Sequence, residues 1–112
     1  MSSRVLVIDP CEDRRAALET ALRAAYFEVA AAAAPPDGAA QADLLILAPP
    51  TDATGTAEIA RIVAGPAPHP PVLAVSPRGA GFAAAALRAG AGDHLEWPAD
   101  AAEIVARARG LI

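Results

Sequence analysis

The chain reads as an open α/β fold built on a parallel sheet. Three observations predict it. Short apolar runs alternate with helical patterns along the whole length, giving five strand and helix signals in turn. Three of the runs are apolar throughout, as strands covered on both faces must be, which puts the first, third and fourth in the middle of the sheet. At 112 residues the chain is one domain, long enough to bury a single core without disulfides or metal.

The first strand is Arg4-Val5-Leu6-Val7-Ile8. Asp9-Pro10-Cys11-Glu12 follows, with aspartate at an N-cap, proline at N1 and glutamate at N3, so a helix is expected from here to about Ala25. Leu18, Ala21, Leu22 and Ala25 share one face of it. Phe27 to Ala33 is a weaker second strand. Pro35 to Ala42 holds a turn or two at most, near the floor for a parallel crossover of about 10–12 residues, so the second helix is shortened or missing.

Asp43 to Leu47 is the third strand, and Pro49 to Thr54 a loop. Gly55 to Ala64 carries Ile59, Ile62 and Val63 at helical spacing. Gly65-Pro66-Ala67-Pro68-His69-Pro70 is a rigid connector, too short to link domains. Pro71 to Val75 is the fourth strand, and Ser76-Pro77 reads as strand-end turn chemistry. Gly81 to Ala89 is a short helix with Phe82, Ala86 and Leu87. Asp93 to Glu96 is a short fifth strand, and Ala99 to Arg109 a final helix facing inward with Ala101, Ile104, Val105 and Ala108.

Composition narrows the function. The net charge is −4, and all nine basic residues are arginine, so no step can use a lysine amine. The arginines are spread from Arg4 to Arg109, which argues against a nucleic-acid footprint. One cysteine, Cys11, excludes an intramolecular disulfide and fits a reducing compartment. The N-terminus shows no cleavable-signal pattern, and no apolar run reaches the ~20 residues of a membrane span. The expected location is cytoplasmic. Gly79-Ala80-Gly81-Phe82-Ala83-Ala84 spells a dinucleotide fingerprint, but it follows the fourth strand, whereas ligands of such sheets bind where the strand order reverses.

Several passages together resemble the receiver domain of bacterial two-component response regulators. They are Val7-Ile8-Asp9, Asp43-Leu44-Leu45-Ile46-Leu47, Pro71-Val72-Leu73-Ala74-Val75-Ser76, and above all Ala89-Gly90-Ala91-Gly92-Asp93-His94-Leu95 with Pro98. The resemblance spans essentially the whole chain. It implies a flavodoxin-like doubly wound five-stranded parallel sheet in the order 2-1-3-4-5. It also implies a pocket in which acidic residues hold Mg²⁺ while a carboxylate accepts a phosphoryl group, with fixed positive charge on the phosphoryl oxygens.

That pocket is degenerate here. Asp9 keeps the first acidic position, Pro10 takes the second, Ala48 the acceptor, Trp97 the lysine and Pro98 the following proline; Ser76 keeps the hydroxyl. No catalytic residue, metal or cofactor is therefore expected. Asp9 itself reads in preference as the cap of the first helix, stabilising by about 1 kcal/mol with no catalytic role. Asp52 reads as an exposed loop residue capping the next helix more readily than as a substitute acceptor. Cys11 reads as an inert small residue. Trp97 either fills the space beside Ala48 or anchors an interface. His94 reads as half-exposed and is a group able to change charge near neutral pH.

The expected function is a signalling module that acts by protein contact and is not an enzyme. The helix before the fifth strand, that strand and the last helix offer Arg88, Asp93, His94, Glu96, Glu103, Arg107 and Arg109, mixed charges suited to a self-complementary two-fold contact. Arg107 and Arg109 are also explained by the helix dipole. The domain is expected to be the N-terminal part of a longer protein with an effector, by analogy a diguanylate cyclase. An atypical phosphoacceptor, or an anion site at Ser76-Pro77-Arg78-Gly79, is the alternative.

Overall fold

A computed structural model describes residues 2–36, 41–65 and 69–112. Five strands, β1 (Arg4–Ile8), β2 (Glu28–Ala32), β3 (Leu44–Leu47), β4 (Val72–Pro77) and β5 (Asp93–Trp97), alternate with helices α1 (Glu12–Ala24), α2 (Ala53–Val63), α3 (Ala83–Ala89) and α4 (Ala101–Leu111). The sheet is parallel throughout in the order β2-β1-β3-β4-β5. No α-helix stands between β2 and β3 among the described residues; part of that connection, residues 37–40, lies outside them, as do residues 66–68 of the proline-rich connector.

Alternation along the strands divides the core into two layers. Val5, Val7, Leu44, Ile46, Leu73, Val75 and Leu95 point to one face and pack with Leu18 and Leu22 of α1 and Ile104 and Ala108 of α4. Leu6, Ile8, Leu45, Leu47, Val72 and Ala74 point to the other, against Ile59 of α2 and Phe82 and Ala86 at α3. Every residue of β3 is buried, as its unbroken apolar run requires.

Element ends differ from the sequence reading where tertiary contacts decide them. α1 begins at Glu12, and its N-cap is Cys11, whose side chain makes no capping bond; Asp9 lies two residues upstream with another partner. α2 begins at Ala53, two residues early, because Asp52 caps it by accepting from the Thr54 and Gly55 amides. β4 runs on through Ser76 and Pro77, because Ser76 pairs with Glu96 and Pro77 with Trp97. The last helix continues through Gly110 to Leu111.

Two helices end in the same hydrogen-bonded turn with different residues at its left-handed position. After α1 the Phe27 amide bonds the Leu22 carbonyl and the Tyr26 amide bonds that of Arg23; after α3 Ala91 bonds Ala86 and Gly90 bonds Leu87. Gly90 has φ 115°, and a Cβ there would press on Val63 of α2, 2.9 Å away. Tyr26 holds φ 70° although it carries a side chain, which is 85% exposed. A non-glycine residue in this region costs about 1–2 kcal/mol. Tyr26→Gly is therefore expected to raise the melting temperature by roughly 4 °C, read by thermal unfolding.

Candidate functional site

The positions singled out by sequence gather at the edge of the sheet where the strands end. Asp9 follows β1, Ala48 follows β3, Ser76 lies in β4, and Trp97 and Pro98 close β5. Ile8 pairs with Leu47 and Pro77 with Trp97, so parallel registration brings these ends together. The Trp97–Pro98 peptide is cis.

Asp9 is fully buried, and its carboxylate is already engaged. Arg14 Nε donates to Oδ2 at 2.5 Å and Arg14 Nη2 to Oδ1 at 2.8 Å, a two-pronged pair; the Cys11 amide donates to Oδ1 at 2.8 Å. Arg15 Nη1 donates to the Asp9 carbonyl oxygen at 2.8 Å. The hydrogen bond to Asp9 holds the Arg14 guanidinium above its ordinary pKa. A carboxylate in this state is a structural partner for a cation within its own chain, and the helix-cap role falls away. Nothing in the local sequence pattern marks Arg14: the pair spans the corner between strand and helix, outside helical i,i+4 spacing.

Residues fit for Mg²⁺ are missing around it. That ion takes carboxylate and water oxygens, but both Asp9 oxygens are occupied, Pro10 is exposed and its side chain has no oxygen to offer, and Ala48 is buried without a carboxylate. Among the described residues no cluster of three or more potential metal-ligating side chains occurs. The segment after Ala48 is also fixed by packing. Pro49 is buried, and a Cβ at Gly55 would overlap the Pro50 carbonyl oxygen, so α2 starts tight against Pro50. Asp52, exposed, spends its carboxylate on the cap of that helix.

Trp97 is partly buried against the layer that holds Ala48 and also lines an open groove with Ala16, Ala17 and Thr20 of α1 and Ile104 of α4. It thus combines features of both readings. Ser76 and His94 form the other half of the site. Both are buried, and Ser76 Oγ lies 2.6 Å from His94 Nε2. The half-exposed reading of His94 is corrected: it is 8% exposed, because the pairing of β4 with β5 turns its ring onto Ser76. Burial lowers its pKa below the ordinary 6.5, opposed by Glu96 and Asp93 and reinforced by Arg107.

The candidate interface residues divide. A groove of about 440 Å³ is lined by Asp93, His94, Glu96, Glu103 and Arg107 together with Arg78. Arg107 is held within it by Asp93 at 3.2 Å and Glu103 at 3.3 Å. Arg88 and Glu96 are exposed. Arg109 lies elsewhere, beside Ser2, Ser3 and Tyr26 where the strands begin.

No family model and no curated protein matches the sequence. Solved structures do. A candidate response regulator from Chloroflexus aurantiacus is 26% identical, with a TM-score of 0.85 over 99% of this chain and 98% of that one. The signal receiver domain of a response regulator from Bermanella marisrubri is 25% identical, with a TM-score of 0.83 over the same shares. NtrX from Brucella abortus is 24% identical and shares the fold, with a TM-score of 0.81 over 99% of this chain but 27% of its own. The chain has the receiver fold, five parallel strands in the order 2-1-3-4-5.

Two outcomes follow from the buried pairs. Arg14→Ala strands the Asp9 carboxylate and should cost about 3 kcal/mol of stability, measured by urea unfolding at pH 7; Asp9→Ala/Arg14→Ala should cost less than the single change. For His94, the folded-state pKa lies below the unfolded one, so the unfolded chain takes up the proton first. Stability should fall as pH drops through 6.5, and His94→Gln should flatten that slope.

Proposed function

We propose that this chain, a receiver domain by fold, works by protein contact and not by phosphoryl transfer. One observation carries the reading. The buried Asp9 carboxylate, at the position the family uses for metal, has both oxygens engaged by Arg14 and the Cys11 amide. A resident guanidinium supplies, without any ligand, the positive charge that a metal would bring. With alanine at position 48 and no lysine in the chain, neither an acceptor nor the usual cation for phosphoryl oxygens remains at the strand ends. The state of the domain is then set by folding alone.

What a receiver fold retains without this chemistry is its surface. The face formed by α3, β5 and α4 carries Arg88, Asp93, Glu96, Glu103 and Arg107, and it suits a self-complementary dimer contact that regulates an effector. NtrX supports an attached effector, since the part of it that aligns with this chain is 27% of its length. A diguanylate cyclase is one such effector. The module has no enzymatic activity of its own and works in the cytoplasm. Dispersed arginines argue against nucleic-acid contact, and no described helix is long and apolar enough to cross a membrane. An atypical phosphoacceptor is disfavoured because Asp52 is committed to its helix cap.

Incubation with acetyl phosphate and Mg²⁺ followed by intact-mass measurement tests the reading. The native chain should gain no phosphoryl mass, and Ala48→Asp should not gain it rapidly either, because Arg14 still holds Asp9. A stable gain of one phosphoryl group by the native chain would overturn the proposal.

A further inference from the structure

We infer that the free edge of β2 pairs with itself: two copies of the chain join β2 to β2, antiparallel, about a two-fold axis at Ala30. This edge lies at the opposite end of the sheet from β5. The inference therefore goes beyond the docking role proposed for α3, β5 and α4 and does not depend on it.

The ladder to β1 fixes which backbone groups of β2 face outward. The Glu28 amide donates to the Ser3 carbonyl, and the Ala32 carbonyl accepts from the Asp9 amide. With the register between the strands, this turns the polar groups of Glu28, Ala30 and Ala32 toward β1. Val29 and Ala31 turn theirs to the free side. Arg23 marks the same direction, since its Nη2 donates to the Val29 carbonyl from that side at 3.2 Å. The Val29 amide and both backbone groups of Ala31 have no hydrogen-bond partner among the described residues. Edge strands are usually defended by lysine, proline or a bulge. Glu28-Val29-Ala30-Ala31-Ala32 has none of these and keeps unbroken register with β1. Arg23 is its guard, and with a side chain 60% exposed it can swing aside with little burial lost.

The occupant that this edge fits is a second copy of itself. Val29 and Ala31 each offer one donor and one acceptor, in an order that a two-fold axis at Ala30 maps onto itself. Val29 then lies opposite the second copy's Ala31, and each such pair exchanges two N–H···O=C bonds. The second copy's Ala31 amide takes the place of Arg23 on the Val29 carbonyl. Glu28 falls opposite the second copy's Ala32, so no like charges meet across the pairing. The contact is isologous. Access is open on one side: α1 covers β2 through Val29 and Ala31, whereas Ala30 is exposed on the other face and lines a groove with Leu6 and Gln41.

Sedimentation equilibrium of the full chain from micromolar to millimolar concentration, with amide hydrogen exchange over the same range, tests this. The expected result is a dimer in which the Val29 and Ala31 amides become protected as concentration rises. Ala30→Glu and Ala30→Lys each set like charges face to face across the axis, in a non-hydrogen-bonded pair about 4.5 Å apart. Each should weaken the dimer by about tenfold or more, and an equimolar mixture of the two should restore it. If either variant folds poorly, Ala31→Pro removes an outward amide that β1 does not use and should weaken the dimer to a similar extent. A chain that stays monomeric at millimolar concentration overturns the inference. So does a dimer whose Val29 and Ala31 amides exchange as in the monomer, or one that both charged variants form as tightly as the native chain. A dimer protected at Arg88 and Glu96 instead would overturn the β2 pairing while leaving the α3, β5 and α4 face as the contact.

Discussion

A carboxylate shut away from water needs a partner, and at the end of β1 that need is met from within the chain. Asp9 is fully buried, and Arg14 reaches back from the first turn of α1 to hold both of its oxygens. The pair fixes the corner between β1 and α1, with Arg15 adding a bond to the Asp9 carbonyl. The carboxylate is unavailable to an external cation while the guanidinium is in place, and removing the guanidinium would leave a buried charge uncompensated. One interaction thus ties the strand to the helix and occupies the carboxylate.

The remaining strand ends are closed in other ways. Beside Asp9, Ala48 sits buried where β3 ends, and the following prolines are pressed against the start of α2 by the absence of a side chain at Gly55. Across the sheet, Ser76 spends its hydroxyl on His94. Trp97 turns toward α1 and α4 with the first core layer. These are apolar or internally satisfied contacts, and they make the edge a packed surface. On the flank formed by α3, β5 and α4, Arg88 and Glu96 are exposed.

Much of this was legible in the residues. The runs Val5 to Ile8, Leu44 to Leu47 and Val72 to Val75 are apolar because both faces of the sheet are covered, and that burial writes itself directly into sequence. The shortened connection after β2 was legible from its length. The pocket positions come from the resemblance, and the structure places Asp9, Ala48 and Trp97 at the ends of β1, β3 and β5. What was not legible depends on pairing between distant segments. The residue pattern leaves His94 half-exposed because its burial depends on Ser76, eighteen residues away. The pattern ends β4 at Val75 because only the partner strand shows that Ser76 and Pro77 continue it. Arg14 carries no signal because a strand-to-helix corner has no sequence period, and the pattern accordingly gives Asp9 to the helix cap.

Whether Asp9 is closed to cations decides what the strand ends can do. A titration with Mg²⁺, followed through the backbone amide resonances of Asp9, Cys11, Ala48 and Ser76, measures this without any assumption about partners or effectors. The pair with Arg14 predicts that these resonances stay where they are at millimolar Mg²⁺. A saturable shift centred on Asp9 and Cys11 would contradict it, because it would mean that the metal displaces the guanidinium and that the site is still open to the chemistry of its fold.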